Sequence, residues 1–286
     1  MIKIVECPRD AMQGLPDFIP TDVKAEYINA ILKVGFDTVD FGSFVSQKAI
    51  PQMRDTSEVL AKLDLSNTKS KLLSIVGNMR GATDACQFDE INYLGFPHSA
   101  SPTFLKRNIN TTIEKSRERV KEMLEICDRY NKELVVYLTM GFGNPYKDEW
   151  NVEIIRDEVG ILYEMGVKII PLSDTVGVST KENIVALFSA LIPEFSEIEL
   201  GFHLHTSVNK WHEQVDAAFS NGCKRFDTVL LGLGGCPMAE DELVGNLKTV
   251  NLLDYLLEKG VNPQIDKQAF EDAYIKALQT FKKYIA

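Results

Sequence analysis

The sequence predicts a (β/α)8 barrel, the TIM-barrel fold, followed by an additional C-terminal helix. Short β-rich runs alternate eight times with longer amphipathic runs, and a chain of 286 residues has the length that such a barrel needs. Glycine often stands between a helical run and the next β-rich run, as it does at helix C-caps. We therefore expect a single catalytic domain over 1–286, with the barrel at about 1–260 and the last helix at about 266–286.

The predicted strands are short runs rich in β-branched and aromatic residues. They cover 2–6, 38–41, 71–76, 90–95, 133–139, 168–172, 197–203 and 225–230. The clearest helical patterns between them are 21–33, 112–130, 152–165, 181–192 and 211–220, with Thr21 and Thr180 as N-cap candidates. Little helix fits between residues 76 and 90, so the third unit is the weakest. The last helix packs either on the outside of the barrel or on a partner, which would be a second chain in a homodimer.

A doubly wound open sheet is the main alternative fold. It usually carries a glycine-rich phosphate-binding turn directly after a strand, and no such fingerprint follows a predicted strand here. The absence of this turn favours the barrel.

Composition excludes several classes of partner. A net charge of −10 argues against nucleic acid as the main ligand, although a small phosphate-bearing molecule needs only a local basic pocket. No apolar run approaches the ~20 residues of a membrane-spanning helix, and the N-terminal residues lack the pattern of a signal peptide. The five cysteines are scattered without a C-x-x-C pair, which indicates reduced thiols rather than disulfides or a structural zinc site. These features predict a cytoplasmic enzyme without a membrane or nucleic-acid partner.

Reactive side chains follow several predicted strands at their C-terminal ends, where the active site of a barrel lies. One group follows the first two strands, and the other follows strands seven and eight. The candidates are Arg9, Asp10, Asp40, Ser43, His203, His205, Cys236 and Asn246.

The pair His203-x-His205 is the most specific of these features. Residues two apart on a strand point to the same side, so both imidazoles can bind one metal ion. Asp10 would supply a carboxylate and Asn246 an amide oxygen, a nitrogen and oxygen set that suits Mg²⁺ or Mn²⁺ and also accepts Zn²⁺ or Co²⁺. The alternative is two unrelated histidines at the end of a strand. His98, in a predicted loop, and His212, near a helix start, are interpreted as ordinary polar residues.

Two further residues have both a chemical and a structural interpretation. Cys236 lies in the glycine-rich stretch 232–237, where a thiol can act as proton donor or nucleophile, or simply as a small residue before a proline. Arg9 either stabilises an oxyanion or forms an ion pair with Asp10. Cys7 is expected to pack in the core.

Several of these strings, taken in order, resemble the 3-hydroxy-3-methylglutaryl-CoA lyase family. More broadly they resemble the metal-dependent superfamily of TIM barrels that includes isopropylmalate and homocitrate synthases. The resemblance runs from about residue 5 to about residue 253, and the ordered set is more specific than any single string. The matching strings are Arg9-Asp10, Ser43-Phe44-Val45-Ser46, Pro51-Gln52-Met53, Asn108-Ile109-Asn110, Asp174-Thr175, His203-x-His205, Gly232 to Pro237 and Gly245-Asn246-Leu247.

The resemblance implies a reaction and a role for each matching residue. The family cleaves a 3-hydroxy-3-methylglutaryl thioester into acetoacetate and acetyl-CoA with the help of a divalent metal. Arg9 would stabilise the enolate oxygen, Asp40 would replace a catalytic glutamate, and Cys236 would assist proton transfer. The implied metal ligands are Asp10, His203, His205 and Asn246, with Asp10 also a candidate base. The implied substrate-binding residues are Arg9, Gln13, Ser43, Asn78 and Thr175.

The chain departs from the family pattern in ways that bear on the acyl group. Thr206 stands where the family has an aspartate after the second histidine, and Asp40 is one methylene shorter than the family's glutamate. Acidic residues 240–242 also occupy a stretch where the family has small neutral ones. The open alternatives are a condensing enzyme or 2-oxo acid aldolase of the same superfamily, and a catalytically inactive barrel that acts as a binding subunit. Lys48, Lys106 and Arg107 are either contacts for coenzyme A phosphates or solvated surface.

Overall fold

The C-terminal ends of eight parallel strands meet at one face of a closed barrel. The computed structural model describes residues 1–235 and 244–284. Each strand pairs with its neighbours in chain order, and β8 pairs with β1 to close the sheet, as expected for the TIM barrel. The strands are β1 (Lys3–Glu6), β2 (Thr38–Phe44), β3 (Lys71–Val76), β4 (Ile91–Ser99), β5 (Glu133–Thr139), β6 (Ile169–Asp174), β7 (Glu199–Thr206) and β8 (Arg225–Thr228). A two-residue strand, β9 (Gly245–Asn246), pairs antiparallel with the end of β7.

Helices cover the outside of the barrel. They are α1 (Pro8–Gln13), α2 (Thr21–Leu32), α3 (Thr56–Leu60), α4 (Met79–Ala85), α5 (Pro102–Ile109), α6 (Ile113–Tyr130), α7 (Val152–Glu164), α8 (Lys181–Glu194), α9 (Trp211–Ser220), α10 (Thr249–Glu258) and α11 (Lys267–Thr280). Thr180 caps α8 with a complete capping box, as the sequence predicts. Thr21 is the first residue of α2 and not its cap, and its hydroxyl donates to Asp55 instead. None of these helices combines the length and hydropathy needed to cross a membrane.

Three segments differ from the sequence prediction. Residues 8–13 form the short helix α1 rather than a loop, because Pro8 fixes the backbone for a first helical turn. The weak third unit contains the seven-residue helix α4, whose N-terminus is capped by Asn78. His98 lies within β4, so its assignment to a loop is wrong, and its ring is fully buried against Ser116 and Glu158.

The last helix packs within the chain. α11 lies against α2, and the ring of Phe281 meets the ring of Tyr27 edge-on at 5.4 Å between centroids. In the structure, this helix therefore packs on the outside of the barrel, which is one of the two predicted alternatives.

The barrel interior is apolar near the middle and polar towards the C-terminal face. Leu73, Tyr93, Val135, Tyr137 and Ile169 form a small cluster inside the ring of strands. Above it, polar side chains from α1, β2, β7, β8 and β9 converge, and these form the candidate site.

Candidate active site

Asp10, His203 and His205 come together at the C-terminal face of the barrel. One ligand atom from each lies within 4.8 Å of the others. Both histidines project from β7 to the same side, as their spacing predicts, and Asp10 is held by α1 directly after β1. The Nε2 atoms of the two rings are 3.2 Å apart, and each lies 3.9 Å from Oδ2 of Asp10. The alternative of two unrelated histidines is therefore excluded.

The outer nitrogen of each ring has an acceptor, so the inner nitrogens can bind a metal. Nδ1 of His205 is 2.8 Å from the carbonyl oxygen of Thr175, which only accepts, so this nitrogen carries a proton. Nδ1 of His203 is 3.0 Å from Oδ2 of Asp227. With both protons on Nδ1, two Nε2 lone pairs face each other beside a carboxylate, and a cation between them relieves their repulsion. The donor set thus fits a divalent ion.

Asn246 and Gln13 bracket the Asp10 carboxylate. β9 places Asn246 opposite His205 in register, and its amide nitrogen donates to Oδ2 of Asp10 at 2.8 Å. Gln13 donates to Oδ1 of Asp10 at 2.6 Å from the same helix, α1. These contacts fix the carboxylate beside the histidines.

Arg9 connects Asp10 with Asp40 through one buried guanidinium. Nε and Nη2 both donate to Oδ2 of Asp40, at 3.0 and 2.6 Å, while Nη1 donates to Oδ1 of Asp10 at 3.1 Å. Burial raises the pKa of Asp40 to about 6, although Arg9 acts in the opposite direction. Asp10 is also buried, but Arg9 and the two histidines keep its pKa below the ordinary value. The ion pair between Arg9 and Asp10 that the sequence suggested is present, but it lies in the interior rather than at the surface.

A cleft of about 820 Å³ opens at the C-terminal ends of β2 and β3, and no residue of the Asp10, His203 and His205 cluster lines it. Ser43 and Asn78 both line it, and the buried hydroxyl of Ser43 has no hydrogen-bond partner among the described residues. Lys48, Arg54 and Arg80 supply positive charge along the cleft.

Three other sequence candidates lie outside this cleft. Lys106 donates to Asn110, and Arg107 stacks on the ring of Tyr146. Thr175 lies at the end of β6, where its hydroxyl accepts from the backbone N–H of Met140 and its carbonyl holds His205. Thr175 thus contacts a histidine of the cluster rather than the cleft.

The glycine-rich loop begins over Asp10. Gly232, Gly234 and Gly235 have positive φ angles of 70°, 85° and 126°. A Cβ atom on Gly234 would lie 2.4 Å from the carbonyl oxygen of Asp10, so only glycine allows this approach. Cys236, the candidate thiol, lies outside the described residues.

Asp227 is a site residue that the sequence analysis missed. It lies on β8, is 3% exposed and accepts from His203. The available signal was the spacing Arg225-x-Asp227, two charged residues on one face of a strand, which is the same pattern that singled out the two histidines.

Comparison with known proteins shows the family of this chain. The HMGL-like family model matches residues 2–274. A cytoplasmic 3-hydroxy-3-methylglutaryl-CoA lyase of Rattus norvegicus is 30% identical over 266 residues, covering 93% of this chain and 77% of the relative. The mitochondrial hydroxymethylglutaryl-CoA lyase of Bos taurus is 31% identical over 276 residues, covering 95% and 83%. Because relatives carry both labels, the cytoplasmic location of this chain stays a prediction.

Solved structures of HMG-CoA lyases superpose closely on this chain. The HMG-CoA lyase of Bacillus subtilis has a TM-score of 0.92 at 26% identity, with 98% of this chain and 94% of that one covered. The enzyme of Acinetobacter baumannii, solved with coenzyme A and 3-methylmalate, has a TM-score of 0.90 at 29% identity, with 99% and 92% covered. The chain belongs to the HMGL-like family and is an HMG-CoA lyase-like enzyme, a carbon–carbon lyase.

Proposed function

We propose that this enzyme cleaves a 3-hydroxy-3-methylglutaryl-CoA-like thioester to acetyl-CoA and a 3-oxo acid such as acetoacetate. The observation that carries this proposal is the Asp10, His203 and His205 cluster with the Arg9 guanidinium directly beside it. Cleavage of such a bond requires deprotonation of the 3-hydroxyl, stabilisation of the departing enolate, and protonation of that enolate. The residues around the cluster match these three requirements.

The family depends on a divalent metal, and we propose Mg²⁺ or Mn²⁺ for this chain. Asp10, His203 and His205 would hold the ion, with the amide oxygen of Asn246 as a further ligand. Zn²⁺ and Co²⁺ suit the same donors. A divalent ion there would supply Lewis-acid activation of the hydroxyl and orient the bond to be broken.

Arg9 is proposed to stabilise the negative charge that develops on the thioester oxygen. Its hydrogen bonds to Asp40 and Asp10 hold the guanidinium rigidly at the cluster, so little reorganisation is needed as the charge grows. Asp40 is the proposed catalytic carboxylate of β2, and a pKa of about 6 suits a group that exchanges a proton near neutral pH. Gln13 is proposed to bind substrate from its place beside Asp10.

The cleft beside Ser43 is the proposed position of the coenzyme A arm. It opens at the C-terminal ends of β2 and β3, on the same face of the barrel as the cluster, and Lys48, Arg54 and Arg80 suit the phosphates of a thioester substrate. The Acinetobacter baumannii relative was solved with coenzyme A, which supports a coenzyme A thioester as the substrate class. Ser43 and Asn78 would contact the acyl end, and Thr175 would contact the substrate from β6.

A product analysis tests the reaction directly. The purified enzyme is incubated with Mg²⁺ or Mn²⁺ and a panel of 3-hydroxyacyl-CoA thioesters, and products are identified by mass spectrometry. We expect acetyl-CoA and a 3-oxo acid in equal amounts from the best substrate. Parallel reactions with acetyl-CoA and 2-oxo acids test condensation, and 4-hydroxy-2-oxo acids test aldol cleavage. Turnover only in those reactions would overturn the lyase proposal, and no turnover anywhere would favour the inactive binding barrel.

A further inference from the structure

A second pair of opposite charges lies inside the barrel, beneath the two histidines. Arg225 and Asp227 are two residues apart on β8, so their side chains project to the same side of the strand. Both are buried, and Asp227 accepts from Nδ1 of His203. No role in the proposed chemistry requires either side chain to touch the substrate.

The contact with Asp227 determines which nitrogen of the neutral His203 ring carries the proton. A carboxylate accepts, so Nδ1 must donate, and in the neutral ring Nε2 then keeps its lone pair towards His205 and Asp10. The ring of Tyr137 meets the ring of His203 edge-on at 5.8 Å between centroids. The orientation of the ring is therefore fixed by a hydrogen bond on one edge and by packing against an aromatic ring.

Arg225 compensates the buried charge of Asp227. Its Nη1 donates to Glu199 at 2.8 Å, whereas its Nε and Nη2, like Oδ1 of Asp227, have no hydrogen-bond partner among the described residues. The field of Asp227 raises the pKa of Arg225 against the opposing effect of burial, so the two charges stabilise each other. A Cβ on Gly201 would lie 2.9 Å from Cδ of Arg225, so β7 leaves room for this side chain only because it has glycine there.

We propose that Asp227 is the positioning residue of His203: it holds the ring as the Nδ1–H tautomer, with Nε2 directed at the metal position, and Arg225 is its counter-charge. This inference rests on the proposed metal site. Carboxylates that orient a metal-binding histidine in this way commonly change metal affinity by 10- to 100-fold when replaced.

Asp227→Asn tests the proposal, with Glu158→Gln as the matched control. Glu158 also accepts from a buried histidine, because Nε2 of His98 lies 2.8 Å from its Oε1, but this pair is outside the cluster. We expect Asp227→Asn to weaken Mn²⁺ binding about 10- to 100-fold, measured by electron paramagnetic resonance, and Glu158→Gln to leave it unchanged. Circular dichroism checks that each variant is folded.

Nitrogen-15 NMR of the metal-free wild-type protein provides a second measurement that does not depend on the folding of Asp227→Asn. The chain has four histidines, so His203 can be assigned by substitution, and alkaline pH keeps the ring neutral. We expect the Nδ1–H tautomer. Finding the Nε2–H tautomer, or an unchanged Mn²⁺ affinity in Asp227→Asn, would overturn the positioning role. If the wild type binds no Mn²⁺, the proposed metal site is wrong. The measured tautomer of His203 then decides by itself whether Asp227 positions the ring.

Discussion

Arg9 and Asp40 form a buried ion pair in which two guanidinium nitrogens contact one carboxylate, with Nη2 2.6 Å and Nε 3.0 Å from Oδ2. The same guanidinium reaches Asp10 through its third nitrogen. Because two carboxylates bind the planar guanidinium group, it has a single orientation. The ammonium group of a lysine could not reproduce this. This pair links the proposed metal-binding carboxylate of Asp10 on α1 to the proposed catalytic carboxylate of Asp40 on β2.

Arg9→Gln should lower kcat by about 10²–10³ while Mn²⁺ binding changes little, because one positioned donor to a developing negative charge is worth about that factor. Steady-state kinetics on the best substrate, with Mn²⁺ affinity measured in parallel, checks this. Arg156→Gln is the control, since Arg156 makes a similar forked pair with Glu194 on the surface. A change in KM alone would mean that Arg9 binds substrate and transition state equally.

The pH dependence of kcat/KM should have an acid limb at or below about pH 6. Burial raises the pKa of Asp40 to about 6, so the reactive carboxylate forms as the pH rises through that value. A bound cation would move the limb to lower pH. Asp40→Asn should remove most activity together with this limb. A limb centred above pH 7, or an unchanged profile in Asp40→Asn, contradicts the assignment.

The sequence was sufficient to predict that Asp10, His203 and His205 lie together, because the rules that bring them together are local. Strand periodicity puts His203 and His205 on one side whatever the fold, and the strand-end rule for barrels then brings Asp10 beside them. The role of Asp227 depends on the register between β7 and β8, which sets Asp227 opposite His203. Residue spacing along the chain does not contain this information.

His98 shows where local signals were misleading. Gly95 and Pro97 both suggest that the strand ends before this histidine. In the structure, β4 pairs with β3 only as far as Gly95 and continues to Ser99 along β5 alone. A proline is tolerated where one side of a strand has no partner, so the strand extends and buries His98.

Gly234→Ala should disturb the site through the backbone. A Cβ there would lie 2.4 Å from the carbonyl oxygen of Asp10, and φ is +85°, so the loop must move away. We expect weaker Mn²⁺ binding and lower kcat. Gly166→Ala is the matched control, because its φ of +100° imposes similar strain but nothing lies within 4 Å of the added atom. Equal effects in the two variants would attribute the loss to backbone strain alone.

Cys236→Ser should lose most activity while it keeps the fold and the metal. The thiol is predicted to protonate the enolate, and a serine hydroxyl is a much poorer acid. Alkylating agents should modify Cys236 first and inactivate the enzyme in step, because the cysteines that the structure describes (Cys7, Cys86, Cys127 and Cys223) are buried. Bound acyl-CoA should slow the modification. Undiminished turnover in Cys236→Ser would exclude the thiol as the acid.

Glu6→Gln should make stability less dependent on pH. Glu6 is buried at the end of β1, where it accepts from Thr249, Thr228 and the backbone N–H of Leu230. Burial raises its pKa to about 8 from an ordinary 4.5, although these hydrogen bonds act in the opposite direction. Because the fold favours the protonated form, the stabilisation is complete below about pH 4.5 and is lost as the pH rises through about 8.

The measurement for this last prediction is urea unfolding of wild type and variant from pH 5 to pH 9. Glutamine stays neutral throughout, so the free energy of unfolding of Glu6→Gln should rise relative to wild type by at most about 1.4 kcal/mol per pH unit. Glu158→Gln is the control, because His98 and Arg117 lower the pKa of Glu158 to about 2 despite its burial. Its difference from wild type should stay constant over the same range. A constant difference for Glu6→Gln as well would mean that Glu6 is already ionised at pH 5 in the folded protein.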